Sequence, residues 1–221
     1  MLRFIQSTTE GTVALRDRLI AELTAGKSVL WLVPGGSNIA TAVTIMGQIP
    51  AELTAKLTIG LTDERFGPIG HPDSNWQQLT EAGFDSKHAT RVPILAGFDD
   101  MDATVAAYTT TLQSLIARNQ VIIGYFGMGP DGHIAGILPH SPAVTATGLV
   151  AGYHTDTFDR VTSTFEAIKH CTVAYVFAFG EAKREALQNL QQNLSLDEQP
   201  AQIVKQISEA YVYNDQLGGN E

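Results

Sequence analysis

The chain has 221 residues, 44% of them hydrophobic, and 14 Lys and Arg against 23 Asp and Glu give a formal charge of −9. That length suits one sizeable core, and an acid excess without three consecutive basic residues excludes a general electrostatic pull toward nucleic acid or anionic membrane. The longest apolar runs, such as Ser28 to Val33, fall far short of the ~18 residues of a membrane span, and the single Cys171 excludes an internal disulfide framework and a Cys-rich zinc site. The start, Met1 to Gln6, has no apolar leader pattern. The expectation is a cytoplasmic globular protein of one domain, residues 1–221. An anion ligand would have to be held by a few locally placed cations.

In chain order, Leu15, Leu19, Ile20 and Leu23 lie near helical spacing and predict a helix over Ala14 to Leu23, with Ser7, Thr8 and Thr9 as candidate caps. Val29 to Val33 is a short continuous apolar run, the pattern of a strand buried on both faces. Pro34-Gly35-Gly36-Ser37 ends it, and Asn38 to Ile49 reads as a helix capped by Ser37. Leu57 to Leu61 predicts a strand ending at Thr62-Asp63-Glu64-Arg65. Helix over Ser74 to Ala82, extended chain over Arg91 to Leu95, helix over Asp102 to Arg118 and a buried strand over Val121 to Phe126 follow. After the Gly127 to Gly132 turn, a short helix is expected from His133 to Leu138. Leu149 to Gly152 and Thr172 to Phe179 read as strands, Glu181 to Gln192 and Pro200 to Ile207 as helices, and Ala210 to Tyr213 as a last strand. This alternation predicts an α/β fold, a single-domain open and mostly parallel sheet with helices on both faces. Such sheets bind ligands beyond the carboxyl ends of their strands. Pro34 to Ser37, Thr62 to Arg65, Gly127 to His133 and Gly180 to Lys183 all fall at such ends.

Each cluster admits two readings. Gly35-Gly36-Ser37 at a strand-to-helix turn offers backbone N–H groups and a helix dipole to a phosphate or carboxylate; alternatively it is a tight turn with a capping serine. Asp63-Glu64-Arg65 is either a surface ion pair or a base beside an arginine that stabilises an oxyanion. Gly127-Met128-Gly129-Pro130-Asp131-Gly132-His133 is the most informative segment. Its glycines permit close backbone approach, His133 is suited to base catalysis near neutral pH, and Asp131 is near enough to influence the imidazole. A structural histidine is the competing reading. The remaining histidines lack metal-ligand spacing, Cys171 enters a strand as a small core residue, and no Gly-x-Ser-x-Gly elbow occurs.

Taken together, Gly35-Gly36-Ser37, Thr62-Asp63-Glu64-Arg65-Phe66, His71-Pro72-Asp73-Ser74-Asn75-Trp76, Gly127 to His133, Arg160-Val161-Thr162 and Gly180-Glu181-Ala182-Lys183 resemble the 6-phosphogluconolactonase family in order and spacing. That family shares its fold with glucosamine-6-phosphate deaminases and related sugar-phosphate isomerases. The resemblance implies hydrolysis of 6-phospho-glucono-1,5-lactone to 6-phosphogluconate in the oxidative pentose phosphate pathway, with no cofactor and no metal. It implies His133 as general base, Arg65 as oxyanion stabiliser, Asp131 as orienter of His133, and Arg160 and Lys183 as phosphate ligands beside Gly35, Gly36 and Ser37. The partner implied is a small phosphorylated sugar lactone, with the chain a monomer or weak homo-oligomer. The sequence departs from the family's Gly-Gly-Ser-Thr-Pro at Asn38-Ile39, and from Thr-Ala-Ser-Leu-Phe-Pro at Ile134 to Pro139. A deaminase or isomerase using Asp63 to move a proton, and a non-catalytic sugar-phosphate sensor, are the alternatives.

Overall fold

A computed structural model describes residues 2–98 and 100–218. Strands β1 (Leu2–Gln6), β2 (Val29–Val33), β3 (Leu57–Leu61), β5 (Thr90–Val92), β6 (Val121–Gly127), β9 (Val173–Ala178) and β10 (Ala210–Asn214) form one sheet in the order β1-β10-β9-β6-β2-β3-β5. Every pairing in it is parallel. All residues of β2, β3 and β9 are buried, so both faces of the sheet centre are covered, as the uninterrupted apolar runs require. Helices α1 (Glu10–Thr24), α2 (Ile39–Gln48), α3 (Asn75–Glu81), α4 (Met101–Arg118), α5 (Phe165–Lys169) and α6 (Arg184–Gln191) complete the layers. Leu15, Leu19 and Leu23 of α1 are buried, the stripe read from their spacing.

A second, three-stranded antiparallel sheet was not expected. It runs β4 (Asp63–Arg65), β8 (Arg160–Ser163), β7 (Val150–Tyr153), with Arg65 directly opposite Arg160. It is the element that carries the Asp-Glu-Arg and Arg-Val-Thr segments to one place.

Several local expectations are corrected. No helix forms over His133 to Leu138: Met128 bridges Ile134, Ile134 bridges Ile137, and Ala135 takes a left-handed φ of 50°. Residues 200–206 form a 3₁₀ stretch rather than an α-helix. The two helices expected after Ser37 and Gly180 each begin with a 3₁₀ turn, Gly36–Asn38 and Glu181–Lys183. Ser37 caps nothing with its side chain; Ser7 does, its Oγ accepting from Glu10 N at 3.0 Å. Cys171 is buried, its thiol pushed up to about 12 by desolvation, as an inert core group should be. No helix among the described residues is long and apolar enough to cross a membrane.

Candidate active site

The carboxyl ends of β2, β3, β6 and β9 open into a cleft of about 210 Å³ whose walls include Gly35, Gly36, Ser37, Asp63, Arg65, His133, Arg160 and Lys183. Every residue expected at the site therefore lines this cleft, apart from Asp131, which reaches it through His133. Asn38, Asn75 and Ala135 line it as well and were not anticipated.

Asp131 and His133 meet because the chain between them doubles back. Gly132 has φ 80°, and its N–H donates to Gly129 O at 3.0 Å. Asp131 Oδ1 then lies 2.7 Å from His133 Nδ1 and accepts from His133 N at 3.1 Å. Burial raises the Asp131 carboxyl, but the hydrogen bonds and charge of His133 outweigh it and hold the group below its ordinary value. An ionised carboxylate only accepts, so Nδ1 carries a proton in this contact, and in the neutral ring that tautomer leaves the lone pair on Nε2. Gly129 is obligatory here: a Cβ on it would lie 2.1 Å from His133 Nδ1.

Elsewhere in the cleft lining, the antiparallel register sets Arg65 and Arg160 side by side, and both guanidinium groups lie over the Phe158 ring at 4.9 and 5.9 Å. Arg65 donates to Asp73 O at 2.7 Å, and Arg160 NH1 stands 3.9 Å from Asp63 Oδ2. The Nε atoms of both arginines are buried without a hydrogen-bond partner. Like charges directly opposite on a sheet are destabilising, and a bound dianion would reverse that. Asp63 is itself buried, with Oδ1 accepting from Thr62 Oγ1 at 2.9 Å. Lys183 enters from the 3₁₀ turn after β9. Burial pushes its amine down, and the nearby Asp131 carboxylate partly offsets that.

Glu64 braces this wall. It is buried and accepts from Arg65 N, Ser74 Oγ, Asn75 N and Trp76 N at 2.6–3.1 Å, tying β4 to the start of α3. Burial still raises its carboxyl above the ordinary value. Asn75, so placed, donates from Nδ2 to Asp63 O at 2.8 Å.

Fold and cleft together define an open-sheet α/β protein whose carboxyl edge carries a carboxylate-paired imidazole in one cleft with three cations. A sequence model of the family described as glucosamine-6-phosphate isomerases/6-phosphogluconolactonase matches residues 6–213, and the chain belongs to that family. Among curated relatives, a 6-phosphogluconolactonase of Streptomyces coelicolor is 29% identical over 215 residues, covering 82% of both chains. One of Mycobacterium tuberculosis is 27% identical over 177 residues, covering 73% of this chain and 72% of the relative. Among solved structures, a 6-phosphogluconolactonase from Shewanella baltica superposes with TM-score 0.81 at 20% identity over 97% of each chain. A monomeric glucosamine-6-phosphate deaminase superposes with TM-score 0.78 at 19% identity over 96% of each chain, so the fold alone does not separate the two activities.

Proposed function

We propose that the protein is a 6-phosphogluconolactonase, hydrolysing 6-phospho-glucono-1,5-lactone to 6-phosphogluconate in the oxidative pentose phosphate pathway of the cytoplasm. The observation that carries this reading is the Asp131–His133 pair at 2.7 Å in one cleft with Arg65, Arg160 and Lys183. The curated relatives named 6-phosphogluconolactonase support the same choice.

His133 Nε2 takes a proton from water, and the resulting hydroxide oxygen bonds to the lactone carbonyl carbon. Arg65 stabilises the oxyanion that forms. The intermediate collapses by breaking the bond from that carbon to the ring oxygen, which receives the proton from His133. The carboxylic acid so formed ionises and releases a proton to solvent. Asp131 stays ionised throughout, holds the tautomer and stabilises the imidazolium. Arg160, Lys183 and the N–H groups of the Gly35 to Ser37 turn hold the phosphate, which carries no reacting bond and so supplies binding and orientation.

The competing reading is a deaminase or isomerase that moves a proton alpha to a carbonyl with Asp63, which also lines the cleft. The deciding experiment measures lactone consumption, corrected for spontaneous ring opening, beside ammonia release from glucosamine 6-phosphate. Lactone turnover with no ammonia supports the proposal; the reverse result refutes it. Tight 6-phosphogluconate binding with neither turnover would mark a sensor.

A further inference from the structure

Two asparagines line the cleft, and each occupies space that a glycine leaves open. Asn75 packs on Gly35, where a Cβ would come within 1.9 Å of Asn75 Oδ1. Asn38 packs on Gly127, where a Cβ would come within 2.6 Å of Asn38 Nδ2. Glycine at the ends of β2 and β6 thus admits an amide to the floor of the site in both cases. The two amides differ in what they do. Asn75 Nδ2 is engaged by Asp63 O, which makes it part of the frame, while its Oδ1 is buried against Gly35 without a partner. Asn38 is anchored through its main chain, its carbonyl oxygen accepting from Tyr125 OH at 3.4 Å, and it is only 6% exposed. Its side-chain amide makes no hydrogen bond to any described residue, and Asn38 lines the cleft, so the amide's donors and acceptor are left for a ligand there. It sits on the same short turn as Gly36 and Ser37, and shares the cleft with His133.

We propose that Asn38 is a specificity-determining residue: its side-chain amide hydrogen-bonds a hydroxyl on the carbon chain of the phosphorylated substrate. An amide offers both donor and acceptor, the complement of a hydroxyl, and a site built around such a contact penalises ligands that lack the group. A cation would serve the phosphate better, and the site already holds its cations in Arg160 and Lys183. The inference rests on the sugar-phosphate reading of the cleft, but not on which reaction follows.

The test titrates the wild type, Asn38→Ala and the similarly shaped Asn38→Leu with 6-phosphogluconate, glucosamine 6-phosphate and ethyl phosphate. The last carries the phosphate without any hydroxyl. The expected result is that both substitutions weaken the sugar phosphate that the wild type prefers by about three- to tenfold, the range for one ordinary hydrogen bond. Ethyl phosphate affinity should be unchanged. Equal weakening of all ligands would show that Asn38 only shapes the Gly36–Asn38 turn, and no weakening of any would show that its amide touches nothing on the ligand; either overturns the proposal. So would a wild type that binds neither sugar phosphate more tightly than ethyl phosphate. A wild type preferring glucosamine 6-phosphate, with the hydroxyl effect intact, would instead refute the lactonase reading and leave Asn38 in its role.

Discussion

The chemistry proposed for His133 depends on three neighbouring residues that do no chemistry themselves. Gly129 leaves room for the ring, Gly132 supplies the left-handed turn, and Asp131 fixes the tautomer. His133→Ala is expected to lower lactone turnover by about 10²–10⁴, the range for a positioned general base, with the far-UV spectrum retained; unaltered kcat/KM would remove His133 from the reaction. Asp131→Asn should lose less, because Nε2 can still act whenever the tautomer is right. Gly129→Ala should approach the His133→Ala rate, since its methyl would displace the imidazole from the carboxylate. Arg65→Ala tests the oxyanion role. Losing one aimed donor costs about 10²–10³ in kcat, whereas a change confined to KM would make Arg65 a phosphate ligand beside Arg160.

At the level of elements, the most exacting contact is the Glu64 carboxylate between β4 and α3. Folding raises its pKa, so the folded state favours the protonated form. The associated stability is fully present below the ordinary value of 4.5 and is lost as pH rises through the higher folded value. Glu64→Gln removes that titration. The wild type should therefore lose stability relative to the variant as pH is raised from about 4 toward neutrality, measured as urea midpoints at each pH. A constant difference would show that the four donors around Glu64 fully compensate its burial. The same elements show what sequence could and could not convey. β2, β3 and β9 were legible because a strand covered on both faces is an unbroken apolar run. β4 and β8 were not, being three and four residues of mostly polar side chain paired across long range. The false helix at His133 to Leu138 has an equally physical cause. Ile134 and Ile137 are both fully buried, and their spacing imitates a helical stripe, while the left-handed Ala135 that forbids a helix leaves no mark in composition. His133, Arg65 and the Gly35 to Ser37 turn could be placed at strand ends from the sequence, and they line one cleft. The places of Asn38 and Asn75 in the lining could not be read, because both fall within segments expected as helix and their approach to the cleft depends on the glycines they pack against, Gly127 and Gly35.

At the scale of the molecule, a chain of charge −9 gathers three cations at one cleft, and two of them are paired like-to-like across a sheet. Binding a phosphorylated ligand should relieve that repulsion and stabilise the whole fold, since a ligand that binds only the native state adds RT ln(1 + [L]/Kd). At a 6-phosphogluconate concentration of 100 Kd the gain is about 2.7 kcal/mol. For a domain of this length each kcal/mol raises Tm by about 2–4 °C, so the expected shift is about 5–10 °C. Removing one charge-assisted contact costs roughly 1.5–3 kcal/mol of binding, ten- to a hundredfold in Kd. For Arg160→Ala or Lys183→Ala at the same ligand concentration, a hundredfold loss would leave only about 0.4 kcal/mol, a shift of roughly 1–2 °C. Unphosphorylated gluconate separates this from a general loss of ligand affinity, because it lacks the group those side chains hold. Thermal melts with both ligands decide the matter: a shift that survives both substitutions, or that gluconate reproduces in the wild type, would place the phosphate elsewhere and leave the Arg65–Arg160 pair without the anion that accounts for it.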